Sequence, residues 1–196
     1  MSNAILLSGG MDSISLAYWK RPSNAITIDY GQAPASKEIA ISSKIAEELG
    51  INHHIIKVDC SSLGSGDLIN KSALNISPSP EWWPYRNQLL VTIASMKAIS
   101  VGINQLMVAS VKSDGFHRDG TTEFYQYLNQ LMEYQEGRIN ITSPCIDMTT
   151  AQLVMKSNIP KSLLFWAHSC HKSNIACGNC RGCNKYIQTM IELNYL

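Results

Sequence analysis

Residues 5–19, "ILLSGGMDSISLAYW", pass from an apolar run through Ser8, Gly9 and Gly10 into Asp12, Ser13 and a second apolar run. Ala4–Leu7 reads as a short buried strand and Ile14–Trp19 as a packed helix, so the stretch is a strand, a tight turn and a helix. Gly9 and Gly10 admit backbone angles closed to other residues and let a ligand approach the main chain. Asp12 or Ser13 is expected to cap the helix by accepting its orphan amides. Free amides at a helix N-terminus, flanked by Ser and Gly, suit a phosphate. The Lys of the G-x-x-x-x-G-K-[ST] loop is absent, so this is a different phosphate loop or a plain capped turn.

The same alternation continues downstream. "NAITIDY" (24–30) is a second strand, and "SKEIAISSKIAEELG" (36–50) is a helix with Ile39, Ser43, Ala46 and Leu49 on one face. Gly50 stands where a C-terminal stop belongs. "HHIIKVD" (53–59) is a third strand, "NQLLVTIASMKAISVG" (87–102) a buried helix and "NQLMVAS" (104–110) a fourth strand. A helix over 121–136, a short strand over 139–142 and a shorter helix from Thr149 follow. Residues 60–85, rich in Ser, Gly and Pro and ending near Trp82 and Trp83, form a loop long enough to be functional. Successive strand–helix units predict an α/β fold: a parallel sheet with helices on both faces, in one domain spanning 1–196. Ligands bind such sheets beyond the carboxyl ends of the strands. "SGGMDS", "DYGQ" and "ASVKSDG" all lie at such ends and are expected to converge on one pocket.

Composition bounds the function. The chain has 196 residues, 45% hydrophobic and 16% charged, which describes a globular protein with a sizeable core. Its net charge of +1 provides no broad electrostatic footprint for nucleic acid. No apolar run reaches the length of a membrane helix. Met1–Ala4 is too short and uncharged for a signal peptide, so the expected address is cytoplasmic.

A second motif lies near the C-terminus. In "SCHKSNIACGNCRGCNKY" (169–186), Cys170, Cys177, Cys180 and Cys183 are spaced C-x6-C-x2-C-x2-C, with Gly178 and Gly182 between them. Four thiolates at this spacing match a tetrahedral structural Zn2+ site within a segment over 168–185. Disulfides are disfavoured for a cytosolic chain, and the C-P ending of a bacterial ferredoxin run is absent. His168 or His171 is the alternative fourth ligand to Cys170. Cys60 and Cys145 read as ordinary semi-buried thiols.

Together the motifs resemble a known family. "SGGMDS" resembles the pyrophosphate loop of ATP-pyrophosphatases, and its combination with the late cysteine cluster is similar to the 7-cyano-7-deazaguanine synthase (QueC) family. Tyr30 and Gln32, followed by Lys37 and Glu38, resemble that family's Y-x-Q segment. Arg86-Asn87 resembles its R-N pair, Ser143-Pro144 its T-P step, and the four cysteines its zinc ligands. The resemblance implies an adenine nucleotide alpha hydrolase-like fold and an ATP-dependent ligase that adenylates 7-carboxy-7-deazaguanine, then forms an amide or nitrile with ammonia. Ser8, Gly9, Gly10, Asp12 and Ser13 would hold the pyrophosphate, with Mg2+ bridging it; Asp29, Tyr30 and Gln32 would lie at the adenosine. Arg86 would bind the carboxylate or a phosphate through its planar fork, although an exposed helix-start arginine is the plainer alternative. The catalytic set is then Asp12, Ser13 and Arg86. A homodimer is left open.

Two departures alter the acceptor side of this resemblance. "MTTAQLV" places Thr150 where the family carries a phosphate-reaching Lys. "SDGFHRDGTTEF" replaces the family's substrate loop, with Asp119 alone in register and His117 near a Tyr position. A divergent enzyme of an antiviral (CBASS) operon, joining the activated acid to a protein amine, shares the adenylation and differs in the nucleophile. Two other classes are a nucleotide- and zinc-binding regulatory module without turnover, and a tRNA sulfur transferase. The last wants a reactive Cys near the loop and a basic face, and this chain has neither.

Overall fold

The computed structural model describes residues 2–196; Met1, the first residue of the segment weighed against a signal peptide, lies outside them. Five strands form one sheet in the order β3-β2-β1-β4-β5, every pair parallel: β1 (Asn3–Leu6), β2 (Asn24–Asp29), β3 (Asn52–Lys57), β4 (Gln105–Met107) and β5 (Asn140–Thr142). The connecting helices are α1 (Met11–Lys20), α2 (Ala35–Leu49), α3 (Arg86–Ser100) and α4 (Thr122–Tyr134). The chain then closes with α5 (Thr150–Ser157), the single turn α6 (Lys161–Leu164) and α7 (Arg181–Glu192). The expected parallel sheet is present, and each expected strand and helix falls within a few residues of its place. The sequence reading contained neither α6 nor α7.

Alternation along the strands builds two cores. Ile5, Leu7, Ala25 and Met107 face a layer of α1, α2, α5 and α7, where they meet Ile14, Leu16, Ile45, Leu153 and Met190. Ala4, Ile26, Leu106 and Ile141 point the other way, onto α3 and α4, against Val91, Ala94, Tyr125 and Leu128. A period of two therefore makes one sheet serve two helix layers. The sheet order reverses beside β1: β2 and β3 extend to one side, β4 and β5 to the other. That reversal opens a crevice at the carboxyl end of β1, where Ser8–Ser13 lies.

Two local expectations are corrected. The buried face of α2 carries Ser42 and Ile45 with Ala46, not Ser43, because the Ser42 hydroxyl donates to the Leu7 carbonyl at 3.0 Å. Helix α3 is buried on one face only, with Met96 and Ile99 exposed. The 60–85 segment is anchored by a few buried side chains, while residues 70–76 are exposed. Leu68 and Trp83 sit in the second core, and the Trp83 ring meets Tyr30 edge-on at 4.9 Å.

Leu106 is fully buried between β1 and the α3–α4 layer. Leu106→Ala is expected to lower unfolding free energy by about 2–5 kcal/mol in urea titration, through lost transfer energy plus a residual cavity. A loss below about 1 kcal/mol would show that this layer collapses onto the gap.

Candidate active site and metal centre

The turn after β1 is built by its own serines. Ser13 Oγ accepts the Ser8 amide at 3.2 Å and donates to the Gly10 carbonyl at 3.0 Å, while Ser8 Oγ lies 3.1 Å from Ser13 Oγ. Gly10, not Asp12 or Ser13, occupies the N-cap, and no side chain caps α1. The expected cap is displaced because Ser13 is spent on holding the turn closed. The amides of Met11, Asp12 and Ser13 are thus left without intrahelical partners, with the positive end of the helix dipole behind them. Gly9 takes φ +73°, and a Cβ there would lie 3.0 Å from the Glu38 carbonyl, so the turn packs on α2 as only glycine permits.

A cavity of about 310 Å3 opens over this turn. The three expected loops meet around it, through Ser8 and Gly10 to Ser13, Tyr30, and Ser110 with Asp114, while Gly9 lies behind the lining. Arg86 also lines it. The preceding residue, Tyr85, adopts φ +56°, a strained left-handed conformation that starts α3 at Arg86. A cation at a helix N-terminus opposes the dipole. Among the described residues, the half-buried Arg86 guanidinium has no carboxylate within salt-bridge distance. Asn87, its neighbour, lines the same cavity and donates from Nδ2 to the Asp119 carbonyl at 2.8 Å, which pins the rewritten loop beside Arg86.

Asp29 and Gln32 do not line the cavity. Asp29 accepts the Gly31 amide at 3.2 Å, and Gln32 turns inward, accepting from the Tyr30 amide at 2.8 Å and donating to Glu38 Oε2 at 2.8 Å. Both brace the turn that presents Tyr30 and Glu38.

The fourth wall comes from the cysteine segment, which sequence reading treated as a separate motif. The four sulfurs of Cys170, Cys177, Cys180 and Cys183 lie within 4.8 Å of one another. Cys177 and Cys183 are 3.9 Å apart and Cys170 and Cys180 4.0 Å, close to the edge of about 3.8 Å that 2.3 Å bonds to one tetrahedral ion require. This cluster could hold zinc, and Cys170 completes it. His168 Nε2 is instead 2.9 Å from the Ser173 carbonyl, and His171 lines the cavity. Cys180 caps α7 by accepting the Cys183 amide, and Gly182 is obligatory there, since a Cβ would meet the Ser169 carbonyl at 1.8 Å.

The segment is bonded directly to the Ser8–Ser13 turn. The His168 amide donates to the Gly9 carbonyl at 2.9 Å. From α7, the Lys185 ammonium reaches Asp12 Oδ2 at 2.8 Å and Asp114 Oδ1 at 3.2 Å. Burial opposes the lysine's charge, but the two carboxylates more than offset it and raise its pKa. Burial likewise raises the Asp12 carboxyl, and Lys185 pulls it back. Farther out, Arg181 Nη1 donates to Glu81 Oε1 at 2.7 Å, with His117 Nε2 3.3 Å from the same oxygen. Burial works against the Glu81 carboxylate, but bonds from its own backbone, Ser79, Arg181 and His117 hold it down at about 2. This latch fastens the 60–85 segment to the 112–120 loop and α7. Lys185, Asp114, Glu81 and Arg181 were missed as site residues; the signal available was Arg181 and Lys185 flanking the last cysteine.

Burial pushes the Glu38 carboxyl up to about 7, with Gln32 and Arg86 acting the other way. The folded protein then keeps a proton that the unfolded chain releases near its ordinary 4.5. This contribution favours the fold below pH 4.5 and is lost as pH rises through 7. Glu38→Gln removes it, so the melting temperature of the variant should gain on wild type between about pH 5 and 7.5. Parallel melting curves across that range would contradict this assignment.

Comparison with known proteins shows the family. The family model described as queuosine biosynthesis protein QueC matches residues 3–193. A 7-cyano-7-deazaguanine synthase from Desulforudis audaxviator is 29% identical, over 94% of this chain and 94% of its own length. One from Chlorobaculum parvum is 28% identical over 98% and 93%, and one from Methanocaldococcus jannaschii 27% over 93% and 91%. Among solved structures, NMN synthetase from Francisella tularensis aligns over 100% of this chain and 78% of its own, with a TM-score of 0.37 at 15% identity. The match across nearly the whole chain, with the cysteine cluster and phosphate-type loop assembled around one cavity, establishes that this chain belongs to the QueC family.

Proposed function

We propose that the protein is an ATP-dependent carbon–nitrogen ligase acting on 7-carboxy-7-deazaguanine. The observation that carries this reading is the cavity in which the uncapped α1 turn shares a wall with an arginine free of any ion pair. In the first step a substrate carboxylate oxygen attacks the α-phosphorus of ATP, the bond to the bridging oxygen breaks, and pyrophosphate leaves. Ammonia then attacks the acyl carbon and AMP departs, which gives the amide. The amide oxygen would then attack the α-phosphorus of a second ATP with release of pyrophosphate, and loss of AMP with the two N–H protons would give the nitrile.

None of this needs a protein nucleophile; it needs orientation and charge stabilisation. Ser8, Gly9, Gly10 and Ser13 would cradle the pyrophosphate. Asp12 Oδ1, buried without a hydrogen-bond partner, suits Mg2+, which neutralises phosphate charge when bound. Tyr30 would flank the adenosine, with Asp29 and Gln32 holding its turn. The Arg86 fork would clamp the substrate carboxylate. Zinc would serve as a structural ion at the four cysteines, holding α7 in register.

Ammonia is the acceptor this reading favours over a protein amine. The 60–85 segment, which would have to open for a peptide, is fastened by Glu81 to Arg181, by Asp67 to Lys172 at 3.4 Å, and by the buried Trp83.

Mass spectrometry of the protein with ATP, Mg2+, 7-carboxy-7-deazaguanine and ammonium should show AMP and an amide or nitrile product. Asp12→Ala should abolish AMP formation while keeping its fold. AMP release at the wild-type rate from the folded variant would end the reading. A product on protein, with none on ammonia, would transfer it to the protein-amine acceptor. Purified protein should also carry about one zinc per chain. Cys180→Ser should lose it and fray α7, seen as lost metal by elemental analysis and faster amide exchange over 181–192.

A further inference from the structure

We propose that Lys185, carried on the metal-anchored helix α7, is the cation that binds the β-phosphate of ATP and stabilises the departing pyrophosphate. This deepens the ligase reading and rests on it. The two formal cations lining the cavity are placed apart. Arg86 is grouped with Tyr30, Asp119, Asp114 and Glu38, whereas Lys185 bonds Asp12 in the first turn of α1 and shares Asp114 as its second carboxylate. Its ammonium is therefore beside the amides that the uncapped turn presents, and about a third of its side chain is exposed to the cavity.

The positioning of Lys185 is rigid at its root and mobile at its tip. Cys180 caps the helix, Cys183 lies in its first turn, and Gly182 allows that turn to press on Ser169. The same segment is bonded to the phosphate loop by the His168 amide on the Gly9 carbonyl. The α7 backbone thus keeps a constant distance from the loop. Four rotatable bonds let the ammonium pass from carboxylate to phosphate oxygen.

Charge balance gives the lysine its task. Asp12, Asp114, Asp119 and Glu38 line the cavity, an acidic setting for a polyphosphate. As the bond to the α-phosphorus breaks, the bridging oxygen takes the electron pair and pyrophosphate gains negative charge. A cation brought beside that oxygen from a rigidly held helix lowers the barrier in proportion to the charge developed. Thr150 leaves room for it: its short side chain places a buried hydroxyl against the Asp12 carboxylate and carries no cation of its own. The lysine expected from α5 is thereby supplied by α7.

The test compares wild type, Lys185→Met and Lys185→Arg, each with metal content and circular dichroism checked. Binding of inorganic pyrophosphate with Mg2+ is measured by calorimetry, and carboxylate-dependent ATP–pyrophosphate exchange alongside it. Lys185→Met should weaken pyrophosphate binding about tenfold or more, as loss of one charged hydrogen bond predicts. Exchange should fall on the order of a hundredfold. Lys185→Arg should bind within about threefold of wild type. Equal affinity of wild type and Lys185→Met, both folded and metal-loaded, would overturn the role of Lys185 while leaving the ligase intact. Wild type that neither binds pyrophosphate nor exchanges it would instead sink the ligase reading. Should Lys185→Met lose its metal, Lys185→Arg and Lys185→Gln carry the comparison. Equal affinity of that pair overturns the proposal, and a tenfold gap supports it.

Discussion

One hydrogen bond joins the two motifs on which this protein is built: the His168 amide donates to the Gly9 carbonyl at 2.9 Å. Gly9 sits at φ +73° in the turn beyond the end of β1, outside the sheet's ladder. An unpaired carbonyl there would incur a desolvation penalty of about 1–3 kcal/mol. The cysteine segment removes it, and in doing so lays its own backbone across the phosphate loop. The sequel follows geometrically. Cys170 is two residues on, its three partner cysteines surround the start of α7, and α7 delivers Lys185 to Asp12.

The cysteine cluster and the cavity over the Ser8–Ser13 turn are therefore one construction rather than a core with a separate appendage. A chain with a net charge of +1 concentrates Arg86 and Lys185, one from mid-chain and one from near the C-terminus, at one cavity. The latch of Glu81, Arg181 and His117 extends the construction outward. It ties the 60–85 segment to the residue that follows the capping cysteine. Disturbance of the cluster is in this way transmitted to the cavity walls on two sides.

The departures from the family pattern are intelligible in the same terms. Thr150 packs on α1 beside Asp12, where a longer side chain would compete with Lys185 for the same carboxylate. The rewritten 112–120 stretch, two short turns of 3-10 helix, supplies Asp114 to Lys185 and Asp119 to Asn87. Both acids are used as braces, so the loop is coupled to α3 and α7 together. Cys145, buried with its thiol pushed up to about 12 by burial, and Cys60, also buried, remain ordinary packed side chains as their isolation in the sequence suggested.

Elements and chemistry with local causes were legible in the sequence alone. The strand–turn–helix at 5–19, the glycine stop at Gly50 and the four-cysteine spacing each arise from residues that touch near neighbours, so periodicity and turn preferences report them. The parallel sheet followed from strands alternating with helices. Tertiary structure decided which distant side chains meet. Ser13 closes the turn instead of capping α1, Gln32 braces instead of facing the ligand, and Ser42 replaces Ser43 because Leu7 offers it a carbonyl. Asp12 and Lys185 are 173 residues apart, and no local preference of either encodes the other. Their pairing exists because sheet order, helix layering and the cysteine cluster together bring the chain's end back to its beginning.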